Sequence, residues 1–140
     1  MRKLTLVALL ALATVVLAGC AATAAAPAAG GTVNATLTDM KISVDRTTVK
    51  AGEITFVVKN TGAVIHELVV IQTDVAQDKI PMDMDEVGKM DETGNLGETG
   101  DVAIGGSKTF SVTLPAGHYV LMCNEVGHYD SGMHMAFVVN

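Results

Sequence analysis

The sequence has no tryptophan, three phenylalanines and two tyrosines, so aromatic rings cannot dominate its core. Eight methionines put thioethers where rings would otherwise sit. Cysteine is as scarce, with only Cys20 and Cys123. Two thiols are too few for a four-cysteine zinc or iron–sulfur site and too few for a disulfide framework. Nine Lys and Arg face fifteen Asp and Glu, a net charge of −6, which excludes the clustered cations that nucleic-acid phosphates require. No apolar run reaches the roughly 20 residues of a membrane-crossing helix; the longest, Leu4 to Leu17, is interrupted only by Thr5 and Thr14. What remains is 140 residues with 49% apolar content, enough for one globular core and not for a multidomain enzyme.

That apolar run follows Arg2 and Lys3 and precedes small residues, the pattern of a secretory signal. A retained membrane anchor is the competing reading. Leu17-Ala18-Gly19-Cys20 resembles the lipobox of bacterial lipoproteins, which implies cleavage after residue 19 and a lipid on Cys20; the alternative is a plain cleavage site with a chance cysteine. Residues 20–31 are Ala-, Pro- and Gly-rich, with no charge and nothing large to bury, and read as a tether. The folded domain is expected over residues 32–140. If Cys20 is lipidated, Cys123 is the sole free thiol.

Within that domain the acids are unevenly spread: Asp74 to Asp101 holds nine against two lysines. With Pro81 and four glycines, this stretch reads as a long acidic loop holding at most a turn or two of helix. Elsewhere period-2 alternation dominates. Ile54, Phe56 and Val58 share one face, as do Phe110, Val112 and Leu114. After the turn Leu114-Pro115-Ala116-Gly117, Tyr119, Leu121 and Cys123 line up opposite His118, Val120 and Met122. Met133, Met135, Phe137 and Val139 form a last line, and Val33–Leu37, Lys41–Val44 and Ile65–Ile71 complete the set. Seven to eight short strands predict an all-β sandwich.

Cys123-x4-His128-x4-Met133 places a thiol at the end of one inward strand face, a thioether at the start of another and an imidazole on the loop between. Gly127 and Gly132 permit the tight path. His66 follows the strand-ending Asn60-Thr61-Gly62 and opens an apolar strand, where an unpaired imidazole is costly. Two imidazoles, one thiolate and a weak thioether form the ligand set of a mononuclear blue-copper centre. The bland readings are a buried free thiol, a loop histidine, a satisfied core histidine at 66 and a core methionine at 133.

These features, together with Val49-Lys50-Ala51-Gly52 before a strand and Pro115-Ala116-Gly117-His118-Tyr119, make the domain resemble the cupredoxins, the plastocyanin and azurin family of small copper proteins. The resemblance implies a cupredoxin-like Greek-key β-sandwich with one copper ion at one end. It implies His128 as the electron port and no covalent catalysis. It also implies a backbone N–H, at the residue after the upstream histidine, aimed at the cysteine sulfur. That residue is commonly Asn in the family and is Glu67 here, so the side-chain bracing is open and a carboxylate stands beside the metal.

The expected function is a lipid-anchored, monomeric single-electron carrier outside the cytoplasm, periplasmic or on the cell surface, exchanging electrons with a cytochrome or membrane oxidoreductase. The rival is a copper chaperone, sequestering or resistance protein, because Met82, Met84 and Met90 lie among carboxylates where thioethers suit Cu(I) and because His134 offers a further imidazole as a second ligand. Packing of that loop onto the sandwich is equally economical. Four histidines are too few for a multicopper enzyme, and one loop cysteine is too few for a binuclear centre. Met135 is expected in the core, and His134 and His118 in solvent.

Overall fold

In the strand Gly52–Asn60, alternate residues Ile54, Phe56 and Val58 are fully buried while Glu53, Val57 and Lys59 are exposed, as period-2 patterning requires. The computed structural model describes residues 29–140. Its nine strands are β1 (Ala29–Thr38), β2 (Lys41–Val44), β3 (Thr48–Val49), β4 (Gly52–Asn60), β5 (Val69–Gln72), β6 (Asn95–Glu98), β7 (Ser107–Leu114), β8 (Gly117–Met122) and β9 (His134–Val139). One sheet runs β2-β1-β4-β7 and the other β3-β9-β8-β5-β6. Both are mixed, with β1 parallel to β4 and β3 parallel to β9, the remaining pairs being antiparallel.

The all-β reading therefore holds, with two short strands more than the patterning alone supplies. One is the two-residue β3; the other, β6, lies inside the acidic stretch, which contains no helix. Pairing of β1 reaches back to Ala29, which sits opposite Glu53, so the sheet extends into the segment read as tether. The signal segment and Cys20 lie outside the described residues. Among the described residues no helix is long and apolar enough to cross a membrane.

The main core lies between the sheets. Phe56 stacks on Phe110 at 5.2 Å between ring centroids and meets Phe137 at 5.9 Å. Leu68, Val70, Tyr119, Leu121, Cys123 and Met133 join them, and Met135 packs against this cluster as expected. The runs Val69-Val70-Ile71 and Val120-Leu121-Met122 are buried on both faces. Their alternate residues Val69, Ile71, Val120 and Met122 form a second cluster with Ile80, Met90 and Tyr129. The acidic excursion thus covers the outer face of the second sheet, which explains why β5 and β8 read as continuous apolar runs. The predicted strand Ile65–Ile71 is shorter than expected: β5 starts at Val69, and His66 precedes it in an isolated bridge to Val102.

Candidate metal centre

His66 is placed by its backbone. Asn60, fully buried at the end of β4, donates through Nδ2 to the carbonyls of Val64 and Val102 and accepts the Gly62 N–H at 2.8 Å. The turn over residues 61–64 is thereby fixed. The Val102 N–H then donates to the His66 carbonyl at 2.7 Å. The imidazole is fully buried, with Nδ1 toward the interior of the site and Nε2 3.1 Å from the Asp39 carboxylate.

Cys123 and His128 arrive on the loop between β8 and β9. The Cys123 N–H donates to the Met133 carbonyl at 3.0 Å, and the Met133 N–H to the His128 carbonyl at 3.1 Å. Gly127 and Gly132 adopt φ of 78° and 98°, the left-handed values that the tight path needs. This loop brings the Cys123 Sγ within 3.3 Å of His128 Nδ1 and 4.0 Å of His66 Nδ1, and the two Nδ1 atoms within 3.2 Å of each other. Cys123, His66 and His128 form one group of converging donors. Met133 is fully buried in the same core cluster as Cys123.

The three donor atoms fit a single ion. A point equidistant from them lies about 2.1 Å from each, within the roughly 2.0–2.3 Å of metal–imidazole and metal–thiolate bonds. Thiolate, two imidazoles and a thioether are the donors that suit copper in both oxidation states.

Electrostatics favour the neutral forms of Cys123 and His128 while no metal is bound. Burial pushes the Cys123 thiol up to about 11, against the Glu67 N–H, which donates to Sγ at 3.4 Å and stabilises the thiolate. Burial, then the neighbouring His66, holds His128 below the ordinary histidine value. Glu67 is pushed up to about 7, first by burial and then by the charges of Glu92, Glu125 and Glu98. Its side chain is not idle: Oε1 accepts the Asn124 N–H at 3.1 Å, so the carboxylate braces the ligand loop. Asp39 titrates below the usual carboxylate range, chiefly because the Ala63 N–H donates to it and then because of its bond to His66.

The sequence reading did not single out Asp39 or Asn124. Asn124 Oδ1 accepts the Met90 N–H at 2.7 Å, and its Nδ2 donates to the Met90 carbonyl and to Glu92 Oε1. With the Gly127 N–H donating to the Gly88 carbonyl, this joins the acidic excursion to the ligand loop. An acid-lined cleft of about 310 Å³ lies at the junction, bounded by Glu67, Asp83, Glu86, Lys89, Glu92 and Asn124. Adjacency of Asn124 to Cys123 was the one available signal; nothing in the spacing pointed to Asp39.

The three methionines of the excursion part company. Met90 is 3% exposed in the second core cluster, whereas Met84 is 93% exposed and Met82 is also in solvent. His118 is exposed and bonds Asp74. His134 differs from its expected solvation: it is half-buried against Tyr129 at 4.6 Å between ring centroids, with Nδ1 buried and unpaired in the described structure.

A β-sandwich in which one cysteine and two histidines converge on a site for a single ion defines a class of metalloprotein, and comparison with known proteins names it. The cupredoxin-like domain family model matches residues 7–139, so the chain belongs to that family. A reduced auracyanin from the photosynthetic bacterium Roseiflexus castenholzii is 24% identical, with a TM-score of 0.60, over 81% of this chain and 98% of that one. Auracyanin A, a blue copper protein from Chloroflexus aurantiacus, is 22% identical with a TM-score of 0.57 over 79% and 100%. Rusticyanin from Thiobacillus ferrooxidans is 17% identical with a TM-score of 0.62 over 81% and 79%. These likenesses establish the fold. Among curated proteins no sequence matches significantly.

Proposed function

We propose that the chain is a monomeric single-electron carrier outside the cytoplasm, tethered to a membrane by a lipid on Cys20. In this reading His66, Cys123, His128 and Met133 hold one copper ion. The observation that carries it is the convergence of Cys123 Sγ and two histidine Nδ1 atoms within 3.2–4.0 Å at one end of the sandwich.

A bound copper ion supplies a one-electron couple; the chain supplies the rest. Cys123 gives up its proton when a metal enters, because burial otherwise keeps the thiol neutral. The Glu67 N–H then compensates the sulfur charge. The main-chain bonds of the ligand loop, and the bonds of the Asn60 side chain to the turn over residues 61–64, hold the donors in place. A donor set that does not move keeps reorganisation small. His128 is half-buried, whereas His66, Cys123 and Met133 are fully enclosed, so electrons enter and leave at the His128 edge. Val126, exposed beside it, offers an apolar contact, and the acidic excursion steers a positively charged partner such as a cytochrome or membrane oxidoreductase.

A copper-handling role rests on the thioethers of Met82, Met84 and Met90 and on His134, whose ring packs against Tyr129. Burial of Met90 with Val69, Ile80 and Tyr129 leaves two of the three for metal capture and weighs toward the carrier.

Titrating Cu(II) into a soluble form lacking the first 28 residues is expected to saturate at one ion with intense thiolate-to-copper visible absorption. Cys123→Ser is expected to abolish that band. Survival of the band in the variant, or its absence from the wild type, would overturn the assignment.

A further inference from the structure

We infer that Asp39, on the turn joining β1 to β2, positions the His66 ring for metal binding and, through its negative charge, biases a bound copper toward the oxidised state. The inference rests on His66 being a ligand, as proposed above, and assigns the far side of its ring.

His66 is fully buried, and its two nitrogens face different partners. Nδ1 faces Cys123 and His128, while Nε2 lies 3.1 Å from Asp39 Oδ1. An ionised carboxylate can only accept a hydrogen bond, so Nε2 carries the ring proton and Nδ1 keeps its lone pair for the metal. Without a fixed acceptor at Nε2, the neutral ring would share its proton between two tautomers, one of which blocks the site.

Asp39 is itself held. Both its oxygens accept the Ala63 N–H, at 2.9 and 3.1 Å. Met40, the next residue, adopts φ of 59°, a left-handed value that a non-glycine residue takes only where a turn demands it. From the other side, a Cβ at Gly62 would collide with both Asp39 Oδ1 and His66 Nε2. The turn after β1 and the turn after β4 thus close on one contact that leaves no room for a Cβ at position 62 unless Asp39 or His66 shifts. Among the described residues no lysine or arginine pairs with Asp39, and its side chain is 47% exposed. The charge is therefore directed at the imidazole instead of being spent on a neighbouring cation.

A carboxylate on the outer nitrogen makes an imidazole a stronger donor and favours the more highly charged metal ion. Simple capping of the Ala63 N–H would produce neither effect. Asp39→Asn keeps the size and an acceptor for that N–H but removes the charge, and Asp39→Ala removes both. Asp45→Asn serves as the matched control, since Asp45 is also a turn carboxylate, accepting the backbone and side-chain N–H of Asn34.

In copper-free protein labelled with 15N, the wild-type His66 ring is expected as a single Nε2–H tautomer and the Asp39→Ala ring as a mixture. In loaded protein, Asp39→Asn is expected to lose about tenfold in preference for Cu(II) over Cu(I), a rise in reduction potential of about 59 mV for one electron. Asp45→Asn is expected to leave both readings at wild-type values. An unchanged potential in Asp39→Asn, an equal rise in Asp45→Asn, or a single tautomer in Asp39→Ala would each overturn the proposal. Failure of the wild type to take up copper would overturn the ligand assignment and this proposal with it. Normal uptake with an unmoved potential in Asp39→Asn would overturn this proposal alone.

Discussion

The ligand loop, Cys123 to Met133, and the acidic excursion, Asp74 to Asp101, lie against each other but are stabilised differently. The loop closes on itself: Cys123 bonds Met133, Met133 bonds His128, His128 bonds Glu125 and Ser131 bonds Gly127, all through the main chain. The excursion has some internal pairing, such as the Asp91 N–H on the Pro81 carbonyl. Its hold on the domain comes from outside. Ile80 and Met90 are buried beneath Tyr129, the Tyr129 hydroxyl accepts the Ile80 N–H at 2.8 Å, and Asn124 grips Met90 from both sides. A loop closed largely by its own main chain can keep metal donors in register with few outside braces, chiefly the Glu67 carboxylate on the Asn124 N–H. An excursion held by a few anchors can carry charge freely, because only the anchors are constrained.

Cutting one anchor gives the largest test of this contrast. Met90→Ala removes a thioether side chain that is 3% exposed and is expected to cost about 2–5 kcal/mol of folding stability, measured by denaturant titration of the copper-free protein. Met84→Ala, at a side chain 93% exposed, is expected to stay within about 0.5 kcal/mol. Equal costs at the two positions would mean that the excursion is not anchored where its buried side chains lie.

A smaller effect is expected where the two regions join. Asn124→Ala leaves the Met90 N–H without its acceptor in a buried position, at a cost of about 1–3 kcal/mol. Hydrogen exchange at the Met90 amide should accelerate more than exchange at Cys123, whose N–H is bonded within the loop. The thiolate absorption of the loaded variant should hardly move, because the Glu67 side chain grips the Asn124 main chain and not its amide group. A large spectral change would show that the ligand loop depends on the excursion for its geometry.

The same contrast governs what could be read from the sequence. The meeting of Cys123 and His128 was legible because both lie on one eleven-residue stretch, Cys123 to Met133, whose two glycines permit the tight path. His66 was legible because a polar side chain at the head of an apolar strand demands a partner. Asp39 was not, because its contact with His66 spans 27 residues and depends on how two turns approach one another. The excursion's charge was plain from composition, but the division of its methionines was not. Met82 and Met90 face each other across an isolated bridge, yet only Met90 meets the second sheet. Reading Val69 to Ile71 and Val120 to Met122 as buried on both faces would have required knowing that something covers the outer side.

Glu67 stands where the two regions press carboxylates together, and its titration gives the smallest and most specific test. Its carboxyl is raised from 4.5 to about 7, so in that interval the folded copper-free protein keeps a proton that the unfolded chain has released. Stability contributed by the neutral carboxyl is fully present below pH 4.5 and is lost as pH rises to about 7. Because the group is partly exposed, water reduces the effect to about 1–2 kcal/mol. Glu67→Gln retains an acceptor for the Asn124 N–H but cannot ionise. The variant is expected to match the wild type near pH 4.5 and to exceed it by that amount at pH 8, in denaturant titrations of metal-free protein. Parallel stability curves for the two proteins would show that neither burial nor the neighbouring Glu92, Glu125 and Glu98 holds the Glu67 carboxyl above its ordinary range.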